Sequence, residues 1–151
     1  MVLWVGCGGA DEKPVEAAEP PTSPSQSTPK AEPVEATLTP GMEAAQQALD
    51  AGNYAEAIRL YTAELAAEEA KPTPSWVHPS FLYNQLGLAL DNAAQYDKAL
   101  EYFRKSLAIY LKQLGPGHPD VATSYNNIGM VHDAKGEYDK ALEYYRKCLA
   151  I

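Results

Sequence analysis

Residues 82–109 (LYNQLGLALDNAAQYDKALEYFRKSLAI) match residues 124–151 (SYNNIGMVHDAKGEYDKALEYYRKCLAI) at 16 of 28 positions, without a gap. A chain that repeats itself this closely is built from one supersecondary unit stacked on copies of itself, because a single unit cannot bury its own apolar face. The step is 42 residues, as from Gly87 to Gly129. The same step back from Tyr96, Ala99 and Phe103 lands on Tyr54, Ala57 and Tyr61, with Ala45 beneath Gly87. A worn first copy therefore occupies about 41–71, and the two clear copies about 80–114 and 120–151.

Each copy reads as two helices and a short turn. Leu82, Leu86 and Leu90 follow one helical face, while Tyr96, Ala99, Leu100, Phe103, Leu107, Tyr110, Leu111 and Leu114 follow another at three- and four-residue steps. The break falls near Gly52, Ala94 and Gly136, where glycine suits the left-handed residue that follows a helix C-terminus. Lys71-Pro72-Thr73-Pro74 and Gly115-Pro116-Gly117-His118-Pro119 stop helices, and Pro40, Pro79 and Pro119 fit the first turn of the next one. Glu101 with Lys105 and Glu143 with Lys147 form i,i+4 pairs on an outer face, each giving about 0.2–0.5 kcal/mol. The expected fold is all-α: stacked antiparallel helix-turn-helix hairpins in about three repeats.

The recurring residues are Gly87 and Gly129 where two helices approach closely, Tyr96 and Tyr138 at the turn, Ala99 and Ala141 in the tight contact, and Phe103 and Tyr145 as the large filler. This set resembles the tetratricopeptide repeat (TPR), and the period of 42 with the linker LGPGHPDVATSYNNIG is similar to its kinesin-light-chain-like form. The resemblance covers residues 41–151 and is weakest in the first copy, where Ala45 replaces the glycine and Glu64 stands for Ser106 and Cys148. It implies a right-handed solenoid whose first helices line a concave groove that holds a peptide of a partner protein. Carried over by position, that groove is lined by Asn84, Gln85, Leu88 and Asp91, and by Asn126, Asn127, Met130 and Asp133. An asparagine amide offers a donor and an acceptor together, which matches a peptide main chain without selecting its sequence. The plain alternative is that these are ordinary exposed helix polars, or that Asn126 and Asn127 cap local backbone. Relatives that grip a C-terminal carboxylate or acidic cargo use Lys and Arg on this face. The matching positions here carry none, so the expected ligand is neutral or basic. The acids of the first copy (Glu43, Asp50, Glu56, Glu64, Glu68, Glu69) either favour a basic segment or form a solvated helix face.

Before the repeats the composition changes. Seven of the twelve prolines lie between Pro14 and Pro40, where Val15, Val34 and Leu38 are the only large aliphatics, so residues 8–40 read as a disordered tether. The net charge of −8 arises in the first 80 residues, while residues 81–151 carry eight acids and eight bases. Such a balance argues against nucleic acid, which needs clustered Lys and Arg. The opening MVLWVGCGG (residues 1–7 and beyond) resembles the end of a bacterial lipoprotein signal, with Leu3, Val5 and Gly6 leading to a cysteine that would carry the lipid, Cys7. The resemblance implies an envelope-anchored lipoprotein, and otherwise a cytoplasmic protein. Only six residues precede Cys7 and none is basic, against about 15–30 for a signal peptide, so the natural start is expected upstream of Met1. Membrane association is expected only through that anchor, since no stretch approaches the ~20 apolar residues of a spanning helix.

No catalytic spacing is present: no G-x-S-x-G elbow, phosphate-binding loop or dinucleotide fingerprint occurs. His78 and His118 precede prolines at helix starts and His132 replaces Leu90, a pattern of helix-start and packing roles rather than a metal site. Cys148 stands where Ser106 does, as a small buried packing residue. The acid pairs Asp91/Asp97 and Asp133/Asp139 are each split between two helices, unlike the converging groups of general acid–base catalysis. The expectation is a scaffold that is not an enzyme and uses no cofactor or metal. Two alternatives stand beside it. One is self-association through an uncapped edge of Tyr138, Leu142, Tyr145 and Leu149; the other is that the chain is the N-terminal piece of a longer repeat protein.

Overall fold

The computed structural model describes residues 37–73 and 75–151, so the expectations for Cys7 and for most of the tether fall outside the described residues. Six helices follow one another: α1 (Pro40–Asp50), α2 (Tyr54–Glu69), α3 (Val77–Asn92), α4 (Tyr96–Leu114), α5 (Pro119–Ala134) and α6 (Tyr138–Leu149). No strand occurs among the described residues, and each helix packs on its neighbour in sequence, with α3 also touching α5. These are the stacked hairpins expected from the repeat.

The turn inside each hairpin is the same hydrogen-bonded device. Gly52, Ala94 and Gly136 have φ of +75°, +57° and +75°. The following amides, of Asn53, Gln95 and Glu137, donate to the carbonyls of Ala48, Leu90 and His132, each at 2.8 Å. This closes the helix end in a Schellman arrangement. Ala94 holds the left-handed conformation with a Cβ, at a cost of about 1 kcal/mol. Helix starts are capped individually. Thr39 Oγ1 accepts from Met42 N at 3.1 Å and donates to Glu64 Oε2 at 2.6 Å. His118 Nδ1 accepts from Asp120 N at 3.2 Å, and Pro40 and Pro119 occupy the first turn, where no N–H is needed. Pro79 does likewise in α3, which begins at Val77 with Ser75 Oγ accepting its amide at 3.2 Å.

Two apolar cores result. Met42, Ala45, Ala57, Tyr61, Leu65, Leu82 and Leu86 fill the space among α1, α2 and α3. Leu90, Ala99, Leu100, Phe103, Leu107, Val121, Ile128 and Val131 fill that among α3, α4 and α5. Each core is thus completed by the first helix of the next hairpin, which is why one hairpin alone cannot be stable. The small residues set the spacing: a Cβ on Gly87 would lie 2.6 Å from the Phe103 ring, and one on Gly129 would lie 2.7 Å from that of Tyr145.

Two expectations need correction. The acids of α2 are not a uniformly solvated face: Glu68 is buried, paired with Lys71 and with His78 Nδ1 at 3.3 Å, and Tyr83 donates to Glu69 at 3.1 Å. Glu68 turns inward because α3 closes over the end of α2. Cys148 is half-buried, whereas Ser106 is fully buried and donates to Ser80 O at 2.8 Å. The chemical environment differs because no described helix lies against α6 as α5 lies against α4.

Tyr61, the largest fully buried side chain, donates its hydroxyl to Gln46 Oε1 at 3.0 Å. Burial, with a smaller push from the charge of Asp50, raises its pKa to about 12. In the unfolded chain a tyrosine ionises near pH 10. Between these values the unfolded state sheds a proton that the folded state retains, so stability present below pH 10 is expected to fall as pH rises toward 12. Tyr61→Phe should flatten that decline. Urea midpoints measured at about pH 9 and about pH 11 would show it. Equal declines in the two proteins would remove Tyr61 as the cause.

Candidate groove on the first helices

The first helices of the three hairpins are joined by side-chain amides. Gln46 of α1 accepts from Tyr61 and also from Gln85 Nε2 of α3 at 2.7 Å. Asn84, also on α3, accepts at Oδ1 from Asn127 Nδ2 of α5 at 2.9 Å. One donor, Asn84 Nδ2, and one acceptor, Asn127 Oδ1, remain unbonded among the described residues, and neither is shut away from solvent. Turning both amides over leaves the same count of one donor and one acceptor.

Asn84 and Asn127 are thus brought together. Asn127 is only 8% exposed, so part of its bonding capacity serves the fold. Gln85 is tied to Gln46 instead. Leu88 is half-buried against the second core. Asn126 is half-buried and donates to Met130 Sδ at 3.4 Å on its own helix, and Met130 is 46% exposed. Asp133 is exposed near the end of α5. Asp91 is half-buried with Oδ1 buried and unpartnered, and desolvation holds its carboxyl above the ordinary aspartate range. An unpaired buried acceptor is costly to the fold.

The basic side chains are absent from one of the two sets of helices. No Lys or Arg occurs on α1, α3 or α5, which carry Glu43, Asp50, Asp91, Asp120 and Asp133. The bases sit on the second helices and the turns. Several are engaged there: Arg59 with Glu56 at 2.6 Å, Lys105 with Glu101 at 2.6 Å, Lys147 with Glu143 at 2.6 Å, and Lys135 with Asp97 at 2.6 Å. The first helices as a set are therefore acidic although the last two repeats sum to zero.

Sequence reasoning missed Gln46, Phe81, Tyr110, Asp120 and Thr123, which also border this side of the stack. Gln46 lies 39 residues before Gln85, off the 42-residue register, so superposing the copies hides it. Phe81 lies one turn before Asn84 and was reachable by extending the helical face. The histidines are dispersed: His118 caps α5, His78 meets Glu68, and His132 is buried, stacked on Tyr144 at 5.5 Å with Nδ1 at 2.5 Å from Glu137. Among the described residues no three His, Cys, Asp or Glu side chains converge on a metal-sized site, and no helix is long and apolar enough to cross a membrane.

A family model described as tetratricopeptide repeat matches residues 39–112 and 79–151. Among curated proteins, the photosystem I assembly protein Ycf3 of Acaryochloris marina is 41% identical over 58 residues, which are 38% of this chain and 32% of that protein. The chain thus spans about a third of the curated relative that it matches. Solved structures agree on the fold. A Podosopora anserina putative kinesin light chain with TPR-like repeats superposes with a TM-score of 0.64 at 25% identity, over 74% of this chain and 53% of that one. The TPR domain of Arabidopsis FLU superposes with 0.65 at 17%, over 73% and 89%. BtubC from P. vanneervenii superposes with 0.60 at 24%, over 70% and 42%.

Proposed function

Because the chain belongs to the tetratricopeptide repeat family, whose model spans all three helix pairs, we propose that it is a protein-interaction scaffold that holds an extended segment of a partner protein along α1, α3 and α5. The observation that carries this reading is the Asn84–Asn127 pair, which keeps one amide donor and one acceptor free, the complement of a peptide unit. The absence of Lys and Arg from the three groove helices supports a neutral or basic segment and speaks against capture of a carboxylate. The relative named for photosystem I assembly supports a role in bringing proteins together. The groove performs no bond chemistry on this reading, and the chain is not an enzyme. The lipoprotein-like opening supports anchoring at a bacterial envelope through Cys7, which a diacylglycerol mass on that thiol would establish. Self-association is a second reading, favoured by the exposure of Tyr138, Leu142 and Leu149 at 65%, 52% and 84%; a monomeric mass in light scattering would remove it.

The groove is tested by peptide display on the full chain and on the double variant Asn84→Ala/Asn127→Ala. Replacing both amides leaves neither as an orphan, so the fold should survive. Loss of two peptide hydrogen bonds of about 1 kcal/mol each should weaken the selected peptides by tenfold or more. Peptides that bind both proteins equally would refute the assigned face.

A further inference from the structure

We infer that the cleft between the N-terminal halves of α3 and α5 is a pocket for an ammonium or guanidinium group, the lysine or arginine side chain of the segment held in the groove. As regards that partner the inference rests on the groove reading; the pocket's own chemistry does not. The cleft has a volume of about 150 Å³, a size that holds a benzene-sized group. Phe81 and Asn84 of α3, Tyr110 of α4, and Asp120, Thr123 and Ser124 of α5 form its walls.

The serine and threonine hydroxyl protons around this cleft are already committed, which leaves the Tyr110 hydroxyl and Asn84 Nδ2 as its donors. Ser80 Oγ donates to Val77 O at 2.8 Å, Thr123 Oγ1 to Pro119 O at 3.1 Å, and Ser124 Oγ to Asp120 O at 2.9 Å. A hydroxyl has one proton and two lone pairs, so each of these oxygens can only accept from a guest. Asp120 adds a carboxylate. Among the described residues no Lys or Arg pairs with it; the nearby His118 Nδ1, at 3.5 Å, already accepts the Asp120 amide. The described lining includes no basic side chain. A site rich in acceptors, with one unneutralised carboxylate and two aromatic walls, suits a cation with several N–H donors on an apolar stem. A neutral guest would leave the carboxylate unanswered, and an anion would be repelled.

The test uses small probes and does not require a partner. The full chain, labelled with nitrogen-15, is titrated with n-butylammonium and n-butylguanidinium, and with n-butanol and butyrate as neutral and anionic controls. The cations are expected to shift the amides of Phe81, Asn84, Thr123 and Ser124 saturably, and the controls are not. Asp120→Asn keeps the shape of the side chain and should weaken the cations about tenfold. Equal titration by n-butanol, an unchanged cation affinity in Asp120→Asn, or shifts scattered over exposed carboxylates would each overturn the pocket. The two readings fail separately. Displayed peptides that bind the groove with no Lys or Arg preference would overturn the pocket and leave the groove standing. Cation binding at the pocket in a protein that selects no peptide would sustain the pocket and remove the groove.

Discussion

Phe103→Ala is expected to lower the unfolding free energy by about 3–5 kcal/mol, the range for emptying a buried aromatic site. Phe103 is 1% exposed, and its ring fills the space that Gly87 leaves between α3 and α4, in the core that α5 then covers. Single domains are held by only about 5–15 kcal/mol, so this one change removes a large part of the total. The internal control is Tyr145→Ala. Tyr145 is the same repeat position against Gly129, yet it is half-buried because no described helix covers α6. Its loss should cost well under half as much in the same urea titration. Equal costs would show that repeat position, and not burial, sets the energy.

Gly87→Ala should also destabilise, by about 1–3 kcal/mol, against the gain of up to ~1 kcal/mol that alanine brings to an exposed helix interior. The added Cβ would lie 2.6 Å from both Cδ1 and Cε1 of Phe103 and 2.9 Å from Cζ. A planar ring enclosed in a core can give way only by moving a helix. Pairing Gly87→Ala with Phe103→Leu should therefore cost less than the two changes summed, as neighbours that share one space are coupled. Gly129→Ala meets the Tyr145 ring at 2.7, 2.9 and 3.3 Å, but that ring has room to swing outward. The net change there should be near zero. A loss in Gly129→Ala as large as in Gly87→Ala would contradict the account of why the glycine is needed.

Much of this architecture was legible because the repeat is regular. The 42-residue step placed Phe103 over Tyr145 and put the hairpin turns at Gly52, Ala94 and Gly136, where the backbone has positive φ. What the repeat hid were contacts between copies. The link from Gln46 to Gln85 runs off register, and Asn84 reaches Asn127, whose position in the repeat is that of Gln85. Summed charge misled in a similar way: eight acids and eight bases cancel over residues 81–151, yet the bases avoid α3 and α5. Neutrality of a repeat says nothing about which of its two helices carries each sign. Burial of Glu68 was likewise unreadable, since it depends on how α3 closes over the end of α2 and brings His78 to within 3.3 Å.

The proposed groove places a partner segment on the first helices. The most direct measurement is the amide chemical-shift footprint of a display-selected peptide on the full nitrogen-15-labelled chain. Perturbations are predicted to cluster at Asn84, Leu88, Asn127 and Met130 on α3 and α5, with α4 and α6 little changed around Lys105 and Lys147. A footprint centred on α2, α4 and α6 that leaves Asn84 and Asn127 unmoved would contradict it.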